Sequence, residues 1–101
     1  MALDLTPGER EIILGILRDR LPGATVWAFG SRATGTARKT SDLDLLVRDA
    51  EPLTIRQRSQ FELACSESRL PFFVDIVDER TTSDWFLKEI EDDRVLLQEG
   101  S

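Results

Sequence analysis

Between residues 12 and 21 the apolar side chains recur as Ile12, Ile13, Ile16, Leu17 and Leu21, a spacing that lays one stripe along a helix. The start is written just upstream. Thr6 is the N-cap, Pro7 occupies the first helical position, and Glu9 completes a capping box; Pro22-Gly23 ends the helix. The pattern then changes. Ala24 to Phe29 (ATVWAF) is a short, nearly continuous apolar run, which predicts a strand covered on both faces. Gly30 to Ser41 is a polar loop whose beginning can take a helical turn, and Asp42 to Arg48 (DLDLLVR) reads as a second strand. After a turn at Asp49 to Pro52, Thr54 to about Glu67 predicts a helix burying Ile55, Phe61 and Ala64 or Cys65. Leu70 to Val77 (LPFFVDIV) predicts a third strand with Pro71 at its entrance. Thr82 or Ser83 can cap a last helix through Trp85, Phe86, Leu87 and Ile90, and Val95-Leu96-Leu97 can add a short edge strand. This order, α-β-(α)-β-α-β-α-(β), predicts an α/β fold: a small mixed β-sheet with flanking helices in a single domain over residues 1–101.

Composition narrows the chemistry. Histidine is absent, which excludes Ser-His-Asp triads, Cys-His pairs and histidine-ligated zinc. A site made of carboxylates selects Mg²⁺ or Mn²⁺. The single cysteine, Cys65, allows no internal disulfide and reads as a small core residue of a reduced, cytoplasmic protein. No apolar run approaches the about 20 residues of a membrane span. The acidic opening MALDLTPGERE does not resemble a secretory leader.

The net charge of −6 is unevenly distributed. Arg32, Arg38 and Lys39 stand in residues 30–41 without an acid, whereas residues 42–101 carry 15 acids against 7 bases. Such an acidic body repels a long nucleic acid. A small basic loop facing an acidic strand suits a metal-bound nucleoside triphosphate better.

Two features of residues 30–47 point to that chemistry. Asp42 and Asp44 are two apart on a strand, so both carboxylates face one side while Leu43, Leu45 and Val47 face the other. Paired carboxylates repel unless a cation neutralises them; the alternative is a solvated strand start. Gly30-Ser31 directly follows an apolar strand, where a glycine lets backbone amides approach an anion and a helical turn at Ser31 would offer free N–H groups. By itself, Gly-Ser after a strand is also a common turn. Further along, Asp75 interrupts an apolar strand, with Phe73 and Val77 on its face and Phe72, Val74 and Ile76 on the other. A lone acid there is expensive to bury unless paired or metal-bound. Asp78 and Glu79 read as solvated turn residues.

The segment AFGSRATGTARKTSDLDLLV resembles the signature of the DNA polymerase beta-like nucleotidyltransferase superfamily, and in particular its minimal nucleotidyltransferases (MNT proteins). The resemblance covers residues 26–78. One departure is Thr34, where many relatives have an arginine before the second loop glycine. The resemblance implies a polymerase beta palm-like fold and a two-metal transfer of a nucleoside monophosphate, AMP from ATP, to a hydroxyl. Asp42, Asp44 and Asp75 would hold two Mg²⁺ ions, with Asp75 as general base. Gly30 and Ser31 would hold the β- and γ-phosphates, and Arg32, Arg38 or Lys39 would neutralise the leaving pyrophosphate. It also implies a helical HEPN-type partner, a toxin that the chain counters as antitoxin by adenylylating it. Two other readings stay open: a small-molecule acceptor with a helical substrate-binding subunit, and an antitoxin that blocks its partner sterically without catalysis.

Overall fold

The computed structural model describes residues 3–100. Helix α1 (Pro7–Arg20) begins at the Thr6 cap, whose hydroxyl accepts from the Glu9 N–H while the Glu9 carboxylate accepts from the Thr6 N–H, the reciprocal box expected from the sequence. Strand β1 (Thr25–Phe29) leads into a single helical turn, α2 (Ser31–Thr34), and strand β2 (Leu43–Arg48) follows the loop. Helix α3 (Ile55–Ser66) opens on a second capping box, Thr54 with Gln57. Strand β3 (Val74–Asp78), helix α4 (Asp84–Glu91) and strand β4 (Val95–Gln98) complete the chain.

The sheet order is β3-β2-β1-β4, with β1 antiparallel to both β2 and β4 and β2 parallel to β3. The parallel pair needs a crossover, and α3 supplies it. One face of the sheet carries Val26 and Ala28 of β1, Leu43, Leu45 and Val47 of β2, and Val74 and Ile76 of β3. These pack with Ile13 and Leu17 of α1 and Phe61 and Cys65 of α3 in one core. Burial pushes the Cys65 thiol up to about 12, so it stays protonated and packs as a small apolar group. On the other face α4 covers β1, with Phe86 edge-on to Phe29 at 5.6 Å between ring centroids. Farther along that face Trp27 lies between two guanidinium groups, Arg94 at 4.4 Å and Arg48 at 4.7 Å from the ring centre. Arg48 also forms a two-pronged pair with Glu79, both contacts 2.8 Å, which holds that carboxyl below its ordinary range.

Three expectations change. Ile55, predicted to be buried, is 87% exposed at the first turn of α3, because it lies about 120° around the helix from Phe61, off the face that packs on the sheet. Strand β3 is shorter than residues 70–77, and Leu70 to Phe73 form its irregular lead-in. Asp78 is not a solvated turn residue. It is 3% exposed and accepts from the Leu53 N–H at 2.8 Å and the Arg80 N–H at 2.9 Å, so it ties the end of β3 to the lead-in of α3. No described helix is long and apolar enough to cross a membrane.

Asp78→Ala leaves those two N–H groups without their acceptor, and urea unfolding is expected to show a loss of about 2 kcal/mol with an unchanged m value. Asp78→Asn, which retains one acceptor oxygen, is expected to lose less.

Candidate active site

The site begins where β1 stops. Gly30 has φ 77° and ψ −157°, backbone values open essentially to glycine alone. There is a second reason for glycine: a Cβ at this position would land on the Oδ2 of Asp44. The approach follows from strand register, since Phe29 faces Asp44 across the β1–β2 ladder and the chain turns at the next residue. Ser31 is the first residue of α2, and Gly35 closes the turn at φ 83°. Helix geometry leaves the first N–H groups of α2 without intrahelical acceptors.

Asp44 also faces Asp75 directly across the parallel β2–β3 pair. Asp42 lies one residue before β2 begins and is exposed, whereas Asp44 is half-buried. Burial raises the Asp44 pKa, and the negative charges of Asp75 and Asp42 raise it further. Asp44 therefore lies in the field of both other sequence-predicted acids. Asp75 differs from expectation in one respect: it lies on the exposed side of an edge strand and does not carry a burial cost. Beside it, a cleft of about 650 Å³ runs between α3 and the lead-in of β3, lined by Asp42, Asp75, Glu62, Leu63 and Phe73 among others. Phe73 is 77% exposed there. Neither Phe73 nor Leu63 stood out as a site residue in the sequence; Phe73 lies two residues from Asp75, and Leu63 has no acidic motif beside it.

The donor set fits a hard divalent cation. It consists of carboxylate oxygens with no side-chain cation paired to them among the described residues, and the missing Cβ of Gly30 gives the Asp44 carboxylate the room it occupies. Among the described residues no three acidic or thiol side chains stand close enough to hold one ion as they are. Holding one ion on all three would require rotation of Asp42 or Asp75, both exposed.

The basic residues separate from the acids. Arg32, expected at the phosphates, points inward and is 4% exposed. Its guanidinium donates to the carbonyls of Asp4, Ser41, Lys39 and Arg38, and lies 4.0 Å from the centre of the Phe72 ring. Each nitrogen is hydrogen-bonded to a backbone carbonyl, three of the four carbonyls belonging to the loop, which commits this group to the backbone and not to the acids. Lys39 and Arg38 are exposed and line a different groove from that of the acids, of about 450 Å³, together with Arg32, Asp4, Glu9 and Pro71. Thr34, at the departure from the family pattern, is exposed and hydrogen-bonds Thr36 and the Ser31 carbonyl.

Comparison with known proteins matches most of the chain. Residues 10–97 fit the family model described as "Nucleotidyltransferase domain". The chain belongs to the nucleotidyltransferase domain family. This nucleotidyltransferase is 45% identical over 97 residues to the Haemophilus influenzae protein named "Probable protein adenylyltransferase MntA", a match covering 96% of this chain and 85% of that one. Its fold superposes with a TM-score of 0.76 on a toxin–antitoxin crystal structure with AMP-PNP, at 29% identity over 91% of this chain and 73% of that one. A second solved structure is tri-AMPylated Shewanella oneidensis HEPN toxin in complex with MNT antitoxin. It matches with a TM-score of 0.68 and 26% identity, over 91% of this chain and 70% of that one.

The raised pKa of Asp44 has a defined consequence for stability. A folded-state pKa above the unfolded value means that the folded protein binds the proton more tightly. Asp44 thus favours folding below the ordinary carboxylate range, and this contribution is lost as pH rises from the reference value of 3.8 through the raised pKa. In EDTA at pH 7, Asp44→Asn is expected to melt at a higher temperature than the natural protein. The gap is expected to close as pH falls toward 4, and a pH-independent gap in thermal melts would count against the electrostatic origin.

Proposed function

We propose that this nucleotidyltransferase moves AMP from Mg-bound ATP to a hydroxyl on a HEPN-type partner protein and acts by that reaction as an antitoxin. The observation that carries the reading is the direct pairing of Asp44 with Asp75, beside a glycine backbone that touches Asp44. The likeness to an MntA protein and to MNT–HEPN complexes supports the choice of acceptor.

Asp42 and Asp44 would hold the ion on the nucleotide phosphates, and Asp44, Asp42 and Asp75 a second ion at the acceptor. When bound, these ions neutralise phosphate charge and lower the pKa of the acceptor hydroxyl. The chain's own groups do the rest. Gly30 and the amides at Ser31 receive the β- and γ-phosphates, aided by the serine hydroxyl. Asp75, open to the cleft on the sheet edge, accepts the proton as the acceptor oxygen attacks the α-phosphate and pyrophosphate leaves. Lys39 and Arg38 meet the departing pyrophosphate only if the loop shifts from the groove they now line. Much of the rate enhancement then comes from positioning and charge neutralisation.

Incubation with labelled ATP, Mg²⁺ and the product of the neighbouring gene is expected to add the mass of AMP to that product, and EDTA to abolish both transfer and ATP binding. Asp75→Asn is expected to keep most Mg-ATP affinity and lose about 10²–10⁴-fold in kcat. Asp44→Asn is expected to lose both. Cells protected by a chain that transfers nothing would replace this reading with steric blocking.

A further inference from the structure

Arg32 shares a region with the site without facing it, and its surroundings give it a different task. Its guanidinium, buried in the loop, has no carboxylate in salt-bridge reach among the described residues. A buried charge of this kind is costly unless its donors find partners. Four of its five N–H donors meet backbone carbonyls: Ser41 at 3.0 Å from Nε, Asp4 at 2.9 Å from Nη1, and Lys39 at 3.2 Å and Arg38 at 3.4 Å from Nη2. The Phe72 ring covers the cation's face. The Arg32 carbonyl in turn accepts from the Asp4 N–H at 2.8 Å.

Each of these contacts lies next to a part of the site. The Ser41 carbonyl belongs to the peptide that enters Asp42. Phe72 precedes Asp75 by three residues, and the neighbouring Phe73 carbonyl accepts from the Leu43 N–H, between Asp42 and Asp44. On its own chain Arg32 follows Gly30-Ser31 directly. One planar group, borne by the residue that follows the turn, therefore touches the basic loop and the lead-ins of both acid-bearing strands.

We propose that Arg32 is a positioning residue: it fixes loop 36–41 and the approach to Asp42 against the Phe72 lead-in of β3, and so sets the spacing of the acids without contacting nucleotide. Five donors in a rigid fork reach carbonyls on several sides at once. A lysine keeps the charge but brings one nitrogen and cannot span them.

The activity part of the test rests on the transferase reading, and the exchange part does not. Arg32→Lys and Arg32→Met are compared with the natural chain by hydrogen exchange, Mg-ATP binding and transfer. Both variants are expected to speed exchange of the amides at 36–42 by at least about tenfold, with core amides of β1 and β2 unchanged. Both are also expected to lose at least about tenfold in kcat while Mg-ATP affinity moves by no more than about threefold. If Arg32 instead binds phosphate, Arg32→Lys stays near the natural protein, Arg32→Met loses ATP affinity, and loop exchange does not change. If it serves only global stability, exchange rises throughout and kcat per folded molecule holds. Either pattern overturns the proposal. Should the Arg32 variants fail to fold, Phe72→Leu, which keeps apolar bulk and removes the ring face, carries the test. It is expected to raise loop exchange in the same direction, and unchanged exchange would overturn the proposal. A natural chain that transfers nothing would remove the transferase reading and leave the exchange result to stand alone.

Discussion

Strand register holds Asp75 opposite Asp44, with Asp42 just ahead of the strand, against the like-charge repulsion that both exert on Asp44, and the geometry of the site depends on that constraint. The β1–β2 ladder sets Phe29 opposite Asp44, which brings the next residue against the Asp44 carboxylate. Only a residue without a Cβ fits. The parallel β2–β3 ladder then sets Asp75 opposite the same aspartate. Neither pairing is adjustable in small steps, because a slip of one residue turns the acids into the core and the apolar residues of β2 and β3 outward. The apolar face thus fixes the position of the polar one: Leu43, Leu45, Val74 and Ile76 are held under α1 and α3, and the acids go where the alternation sends them.

What the sequence revealed and what it concealed divide along a physical line. Thr6, Pro7 and Glu9 act within one helical turn, and Asp42 and Asp44 within one strand, so spacing alone displays them. Gly30 was legible because a backbone need and a motif coincide at one position. Arg32, Asp78 and Ile55 were not. The partners of Arg32 come from residues 4, 38, 39, 41 and 72, and those of Asp78 from both sides of it in sequence. No local pattern reports whether such a charged side chain points to solvent or to a set of carbonyls. Ile55 fails in the opposite sense: its apolar character suggested burial, whereas its spacing from Phe61 and Cys65 turns it away from the buried face.

The division of charge also changes meaning in three dimensions. Read along the chain, residues 30–41 are a cationic loop facing acids. In the fold one of the three cations is consumed internally, and the groove that all three line is not the cleft beside the acids. No side-chain cation pairs with Asp42, Asp44 or Asp75 among the described residues.

Asp75 also bears on how β3 meets other chains. β3 is the outer strand of the sheet, and the run Phe72–Val77 is rich in residues that favour intermolecular strand pairing. Asp75 is the charge that interrupts this run, between exposed Phe73 and half-buried Val77. The carboxylate that faces the cleft thus doubles as a gatekeeper against edge-to-edge self-association.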